Sequence, residues 1–410
     1  MTSQRLIVCF DGTWNTPSGS ARPTNVVKIL RAITTGDDSV RQITFYDKGV
    51  GTGGPVDRLY GGMSGGGLTE KMIDGYRFLA NNWRQGDEIF VFGFSRGAYT
   101  ARNLVGFIDL AGMISPLFLG ADLEKAIETY RKADMSRDQK SEEIDKLGVD
   151  RETEVRIRCI GVWDTVGSLG VPGDLGRRLL KKKYYFQDTL LSKQVDVALH
   201  AIAIDEKRSA FAPTLWCESE NPDARNQVVE QVWFSGVHSN VGGSYQDSGL
   251  SDIALDWMIK RVRHHTGLAF DDNYVQAHIQ PNARGKGVES RSVLYKDSTL
   301  YPYQRLIKQV LPDGKGFGEW FRRKFKALDR RNIVPGNLTP LNEMLHISAL
   351  ERCREPVVSD CPAKRDCKAR EYRPPTLVAL INSCKAGNCL IDVVGWDGEV
   401  VSPDDISWPW

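Results

Sequence analysis

The sequence predicts an α/β fold with a mostly parallel central sheet and helices on both of its faces. Short apolar runs of strand length alternate with helical stretches through the first 260 residues, and this alternation is typical of parallel sheets covered by helices. Strands are predicted at 6–10, 42–46, 88–93, 155–163 and 227–234, and the clearest helices at 69–83, 98–111 and 123–132. Active sites in such sheets lie at the carboxyl ends of the strands, so the residues after each strand are the first candidates for functional residues.

The composition is that of a globular protein with a large core. Of 410 residues, 41% are hydrophobic and 26% are charged, which excludes collagen-like, coiled-coil and wholly disordered chains. A formal net charge of +2 predicts no general attraction to nucleic acid. The first apolar run is too short for a signal peptide, and no run approaches the roughly 18 apolar residues of a spanning helix. We therefore expect a cytoplasmic protein or one exported without a signal peptide.

The pattern changes after residue 268. Residues 1–268 carry the alternating strands and helices, whereas in 269–410 strands become scarce and basic and proline-containing stretches prevail. We expect the second part to be a C-terminal extension or cap packed on the first. It holds five of the eight cysteines, Cys353, Cys361, Cys367, Cys384 and Cys389. Their spacing contains no C-x-x-C pair, so one or two local disulfides are favoured over a zinc site.

The strongest motif is Gly93-Phe-Ser95-Arg-Gly97, which directly follows an apolar strand and directly precedes a helix. In this context G-x-S-x-G predicts a nucleophile elbow, where the serine stands at a sharp strand-to-helix turn and the glycines relieve crowding. We interpret Ser95 as a nucleophile. The backbone N–H of Arg96, at the start of the helix, is expected to stabilise an oxyanion.

A serine nucleophile needs a general base and an acid that orients the base. In an α/β-hydrolase the order along the chain is serine, acid, histidine. Asp164 follows the strand at 155–163 and is the predicted acid, and His238 follows the strand at 227–234 and is the predicted base. The alternatives are a helix N-cap for the aspartate and a solvent-exposed loop position for the histidine. Of the other histidines, His200 is interpreted as structural because it lies in an apolar stretch.

The loop after the first strand is the second candidate for oxyanion binding. Asp11-Gly-Thr-Trp-Asn15 follows that strand, and a backbone N–H of Gly12 or Thr13 is expected to be the second donor. The alternative is an Asx turn in which Asp11 only ties down the loop, and both can hold together.

No cofactor and no metal are expected. The glycine-rich segment at 49–67 lacks the G-K-[ST] of a phosphate-binding P-loop, so a loop near the pocket is favoured over a nucleotide site. Phosphoester hydrolysis at a metal held by Asp11, Asp47 and Asp164 is the weakest alternative, because no histidine and carboxylate cluster accompanies it.

The stretch at 316–328, which is rich in basic and aromatic residues, is a candidate for contact with the substrate or a membrane. Aromatic residues follow one helical stripe and basic residues lie mostly off it, which suits contact with an anionic membrane surface. The alternative is a core-packed helix with a solvated face. The predicted contact residues are Trp320, Phe321, Arg322 and Arg323.

Taken together, the motifs resemble the α/β-hydrolase domain of the first family of type VI secretion lipase effectors and its bacterial and fungal relatives. The resemblance covers about residues 5 to 260. It is carried by residues 10–15, 46–49, 93–98, 161–167, His200 with 205–208, and 233–243. It implies an esterase, foremost a phospholipase, with Ser95, Asp164 and His238 as its triad. Delivery is not carried over from the resemblance: type VI secretion is one signal-less route that stays open, and a secretion or immunity protein is a partner to test.

The predicted function is hydrolysis of carboxylic esters, foremost phospholipids, through an acyl-enzyme. The alternative is a catalytically idle hydrolase-fold module that binds membranes or a protein partner. The presence of all three triad residue types at strand ends, in the expected order, favours the enzyme.

Overall fold

The computed structural model describes most of the chain. The described residues are 3–12, 22–35, 40–49, 65–132, 134–166, 190–208, 211–217, 227–290, 304–309, 339–358, 369–389 and 391–409. None of the helices in these ranges combines the length and the hydrophobicity that a membrane span requires.

Ten strands are described. In chain order they are β1 (Gln4–Phe10), β2 (Arg41–Asp47), β3 (Glu88–Phe94), β4 (Met113–Ile114), β5 (Arg151–Glu152), β6 (Ile157–Trp163), β7 (Val195–Ala203), β8 (Val228–Phe234), β9 (Glu343–His346) and β10 (Asp392–Val394). Strands β4 and β5 form a separate antiparallel pair. The other eight form one sheet in the order β10-β9-β8-β7-β6-β3-β1-β2, with parallel pairing between the neighbours. The predicted α/β fold with a mostly parallel sheet is confirmed.

Helices surround this sheet. The described helices are α1 (Asn25–Ala32), α2 (Gly65–Asn82), α3 (Arg96–Ala111), α4 (Ala121–Arg131), α5 (Arg137–Asp145), α6 (His238–Gly242), α7 (Gly249–Thr266), α8 (Asp272–His278), α9 (Ile347–Arg354) and α10 (Pro375–Lys385). Short 3₁₀ turns lie at Pro116–Phe118, Ile307–Gln309 and Pro403–Asp405.

Both faces of the sheet are buried, which explains why its strands read as continuous apolar runs rather than as alternating ones. Successive side chains of a strand point to opposite faces. In β1, Leu6 and Val8 pack in the core formed with α2 and α3. Ile7 and Cys9 pack on the other side with α1 and α7.

Residues after 268 contribute to the same sheet, because β9 pairs with β8 and β10 pairs with β9. A third apolar cluster joins Trp233 of β8 to Ile307, Leu345 and Leu377. Cys384 and Cys389 form a disulfide, one of the local pairings that the spacing favoured, while Cys361 and Cys367 lie outside the described residues. The division at residue 268 stays a prediction.

The strand order places a crevice at the carboxyl ends of the strands. The chain passes from β1 to β2 on one side and then to β3 on the other side of β1. Ligands of open parallel sheets bind where the strand order reverses, beyond the carboxyl ends of the strands. Asp11 follows β1 and Ser95 follows β3, so both lie at this point of the sheet.

Candidate active site

Ser95 occupies a strained turn between β3 and α3. Its φ is 60° and its ψ is −121°, a backbone conformation that a residue with a side chain rarely adopts. The two glycines of the motif permit the turn. A Cβ on Gly93 would lie 2.6 Å from the Gly97 carbonyl oxygen, and a Cβ on Gly97 would lie 2.2 Å from the Phe10 carbonyl oxygen. The predicted elbow is therefore the geometry that the chain adopts.

The structure brings the predicted serine, histidine and aspartate together. His238 Nε2 lies 2.7 Å from Ser95 Oγ, and His238 Nδ1 lies 2.5 Å from Asp164 Oδ2. His238 lies 143 positions from Ser95 and 74 positions from Asp164 in the sequence. Parallel pairing of the strands that precede them brings all three residues to the same end of the sheet. Ser95 is 7% exposed, His238 4% and Asp164 0%. The contacts form one unbroken hydrogen-bonded chain that solvent barely reaches.

The His238 ring is held between aromatic rings. Phe94 lies on one side, with ring centroids 4.7 Å apart, and Phe211 meets the imidazole edge-on at 4.9 Å. The backbone N–H of His238 donates to Glu206 Oε2 at 3.3 Å. Glu206 is itself buried and accepts from the guanidinium of Arg208 at 2.8 and 2.9 Å. These contacts fix the imidazole in one orientation.

The electrostatic setting suits a neutral base beside an ionised acid. Burial lowers the pKa of His238, and the Asp164 carboxylate only partly offsets this. Burial alone would raise the pKa of Asp164, but the charges of Arg305 and His238 and their hydrogen bonds outweigh it and hold that pKa well below its usual range. At neutral pH the imidazole is therefore ready to accept a proton while the carboxylate is ready to hold the imidazole.

Arg305 was not anticipated from the sequence. Its Nη1 donates to Asp164 Oδ1 at 2.5 Å and its Nη2 donates to Asp164 Oδ2 at 2.9 Å. The same two nitrogens donate to the carbonyl oxygens of Ala203 and Phe211 at 2.7 and 2.6 Å. Both side chains of this ion pair are 0% exposed. Arg305 lies in a short stretch with no motif around it, so no local signal marked it.

The predicted oxyanion donors are placed as follows. Arg96 is the first residue of α3, and the first amides of a helix have no partner within it. The backbone N–H of Gly12 donates to Asp11 Oδ1 at 2.7 Å. Asp11 also accepts from Thr24 Oγ1 and the Tyr46 hydroxyl at 2.8 and 2.9 Å. The tethering role foreseen for Asp11 is thus present, and donation by Gly12 to an oxyanion stays a prediction.

Several predicted residues lie outside the described part of the chain. Thr13, and the membrane-contact residues Trp320, Phe321, Arg322 and Arg323, all belong to this group. Their roles remain predictions.

A crevice opens between the ends of β1 and β3. Its lining includes Asp11, Lys71, Arg96, Gly97 and Thr100. Lys71 Nζ lies 2.6 Å from Asp47 Oδ2. Arg96 and Gly97 place the N-terminus of α3 beside this crevice.

The competing histidine has a structural role. His200 is fully buried, and its Nε2 accepts from the backbone N–H of Thr165 at 3.2 Å. Burial lowers its pKa to about 3, so the ring is neutral. This confirms the interpretation of His200 as a satisfied buried histidine.

The three-aspartate metal alternative does not match the geometry. Asp11, Asp47 and Asp164 each bind separate partners, as given above. Among the described residues, no three histidine, cysteine or carboxylate side chains lie close enough to share a metal ion.

The chain is similar to known proteins over part of its length. Residues 4–261 match the family model described as T6SS, Phospholipase effector Tle1-like, catalytic domain. An uncharacterized protein of Saccharomyces cerevisiae, YEL023C, is 30% identical over 232 residues, which is 51% of this chain and 32% of that protein. The chain thus spans about a third of the length of this relative.

Two solved structures resemble parts of the chain. One is an uncharacterized protein from Pseudomonas aeruginosa, with 18% identity and a TM-score of 0.39, covering 69% of this chain and 49% of that one. The other is the Tle1 effector bound to the VgrG spike of the type VI secretion system, with 17% identity and a TM-score of 0.34, covering 60% and 52%.

The family match spans β1 to α7, and so it includes every strand end that supplies Ser95, Asp164 and His238. The chain belongs to the family of Tle1-like phospholipase effectors of the type VI secretion system, which it matches through their catalytic domain.

Proposed function

We propose that this protein is a serine esterase that hydrolyses phospholipid esters through a covalent acyl-enzyme. One observation carries the proposal: Ser95 Oγ, both nitrogens of His238 and Asp164 Oδ2 form a continuous hydrogen-bonded chain at 2.7 and 2.5 Å. This chain begins at Ser95, which occupies the strained turn between β3 and α3.

In the first half of the reaction Ser95 Oγ attacks the ester carbonyl carbon. His238 Nε2 takes the hydroxyl proton as the bond forms, and Asp164 stabilises the resulting imidazolium through Nδ1–H. The carbonyl electrons move to the oxygen, where the backbone N–H of Arg96 and the positive end of α3 stabilise the negative charge. The tetrahedral intermediate then collapses, the alcohol leaves with the proton from Nε2, and the acyl group stays on Ser95.

In the second half water replaces the alcohol. His238 Nε2 removes a proton from the water, which attacks the acyl carbon, and the carboxylic acid leaves as Nε2 returns the proton to Ser95 Oγ. The lowered pKa of His238 keeps the ring neutral at the start of both halves.

Family membership supports the choice of phospholipid as substrate. Contact of residues 316–328 with the membrane surface, and a secretion or immunity protein as partner, are further parts of this proposal that rest on the sequence alone.

The test uses defined phospholipid vesicles with the wild-type protein and Ser95→Ala, with products identified by mass spectrometry. We expect fatty acid and lysophospholipid from the wild type and a loss of about three or more powers of ten in turnover for Ser95→Ala. Binding to the vesicles by both proteins without any product would instead support the idle binding module.

A further inference from the structure

The guanidinium of Arg305 binds the face of the Asp164 carboxylate that His238 leaves open. Both of its terminal nitrogens donate to this carboxylate, one to each oxygen. Asp164 Oδ1 also accepts from the backbone N–H of Ala203 at 2.9 Å, and Oδ2 accepts from His238. With four donors around it, the carboxylate cannot rotate without breaking a charge-assisted hydrogen bond.

The guanidinium is itself fixed by the loops that surround the triad. It donates to the carbonyl oxygens of Ala203, at the end of β7, and of Phe211, whose ring packs on His238. An arginine can make these paired contacts because its donors form a rigid planar fork, whereas a lysine offers a single point of attachment.

Arg305 comes from outside the part of the chain that matches the family model, which ends at residue 261. The residues after it anchor it to the C-terminal elements. The backbone N–H of Ile307 donates to Thr376 Oγ1 in α10 at 3.3 Å, and that of Lys308 donates to Glu343 Oε2 in β9 at 3.2 Å. The C-terminal part therefore delivers a charge to the centre of the site.

We propose that Arg305 is a positioning residue, which holds the Asp164 carboxylate ionised and oriented toward His238 Nδ1. This inference rests on the proposed function, because that function gives the ion pair of Arg305 and Asp164 a catalytic use. The geometry that carries it is the two-point ion pair between fully buried side chains.

Other titratable and charged groups also face Asp164 and His238. Glu206 and Arg208 lie beside His238, Arg102 lies near His200, and His200 lies behind Asp164. Glu206 and Arg208 bind each other, and His200 is neutral over the working range because its pKa is about 3. Arg305 is the cation in direct contact with Asp164 among the residues that the structure describes.

The sign of the effect of removing Arg305 follows from charge balance. The Asp164–His238 pair is neutral when it holds one proton and negative when it holds none, whichever group carries the proton. Loss of an adjacent positive charge disfavours the negative state, so the pair keeps its proton to higher pH. Since the base must be free to act, activity would then be lost at higher pH than in the wild type.

The experiment measures the pH dependence of kcat/KM on a soluble p-nitrophenyl ester and, independently, the titration of His238 by NMR of ¹³Cε1-labelled histidine. The chain has six histidines, and His238→Ala assigns the signal. Arg305→Gln is expected to move both the acid limb and the His238 titration upward by about 1 to 3 pH units. Arg305→Lys is expected to leave them near the wild-type position and to lower kcat about tenfold or more.

Arg352→Gln is the matched control. Arg352 is 2% exposed and also donates to two carbonyl oxygens, of Ala283 and Gly285, at 2.7 and 2.8 Å, but it does not contact Asp164. A purely structural role for Arg305 predicts the same result for both glutamine variants. An acid limb that Arg305→Gln moves no further than Arg352→Gln does would overturn the proposal.

Two further outcomes separate the possible failures. Should Arg305→Gln not fold, full wild-type kcat in Arg305→Lys would by itself refute the positioning role. Should Ser95→Ala keep full esterase activity while Arg305→Gln still shifts the His238 titration, the proposed function fails and the positioning of Asp164 by Arg305 stands.

Discussion

Replacing Asp164 by asparagine would damage both chemistry and stability. Each carboxylate oxygen accepts from one guanidinium nitrogen of Arg305, so the NH₂ group of an asparagine would face a donor in either orientation. The amide carries no negative charge to balance that of the buried guanidinium. It also cannot hold the imidazole in the tautomer that accepts the Ser95 proton.

The two losses have different sizes. Breaking a buried ion pair by removing one partner costs about 3 to 5 kcal/mol. At an unfolding entropy of about 2.1 cal/mol/K per residue, a chain of 410 residues would lose about 3.5 to 6 °C in Tm. The wrong imidazole tautomer lowers kcat about 10⁴-fold in comparable triads.

The assay combines p-nitrophenyl ester hydrolysis with thermal unfolding. Combining Asp164→Asn with Arg305→Gln also removes the buried positive charge, so the double variant should regain much of the lost Tm and none of the lost kcat. Asp252→Asn is the control, because Asp252 is also buried and pairs with Lys28 at 2.5 Å without touching the triad. An Asp164→Asn protein with kcat within tenfold of the wild type would refute the assignment of Asp164 as the acid.

Two other perturbations test the base and the elbow. Because burial lowers the pKa of His238, kcat/KM is expected to stay level from neutral pH down to below about 6.5, the ordinary histidine value, and to fall only as the imidazole protonates. A limb centred above pH 7 in the wild-type profile would contradict this. Gly97→Ala places a Cβ 2.2 Å from the Phe10 carbonyl oxygen and should cost about a hundredfold or more in kcat, since small displacements at a reacting centre are expensive. Gly120→Ala, where a Cβ meets nothing within 4 Å, serves as the control, and equal activity of the two alanine variants would show that the elbow tolerates the change.

Local patterns made the elbow and the sheet predictable. G-x-S-x-G specifies its own backbone geometry, so five neighbouring residues sufficed for Ser95. Asp164 and His238 were found because the carboxyl ends of parallel strands share one edge, and the strands that carry them are long apolar runs that are easy to recognise. The order of the motifs along the chain then indicated which residue is the acid and which is the base, which the spacing alone could not.

Short and distant features escaped prediction. Strands β9 and β10 have four and three residues, too few for a periodic pattern. They are recognised only in the fold, where β9 pairs with β8 and β10 pairs with β9. Arg305 lies 141 positions from Asp164, and a single arginine in an irregular stretch carries no signal of its partner. Only the folded structure shows that the buried carboxylate of Asp164, which is hydrogen-bonded to His238, also binds the guanidinium of Arg305.

The most direct test of a serine nucleophile is covalent capture. The protein is treated with a long-chain alkyl fluorophosphonate, and the modified residue is located by intact mass and peptide mapping. We predict one phosphonyl adduct on Ser95, absent in Ser95→Ala and formed far more slowly in His238→Ala. An active preparation that carries no adduct at Ser95, or carries it on a different side chain, would contradict the mechanism.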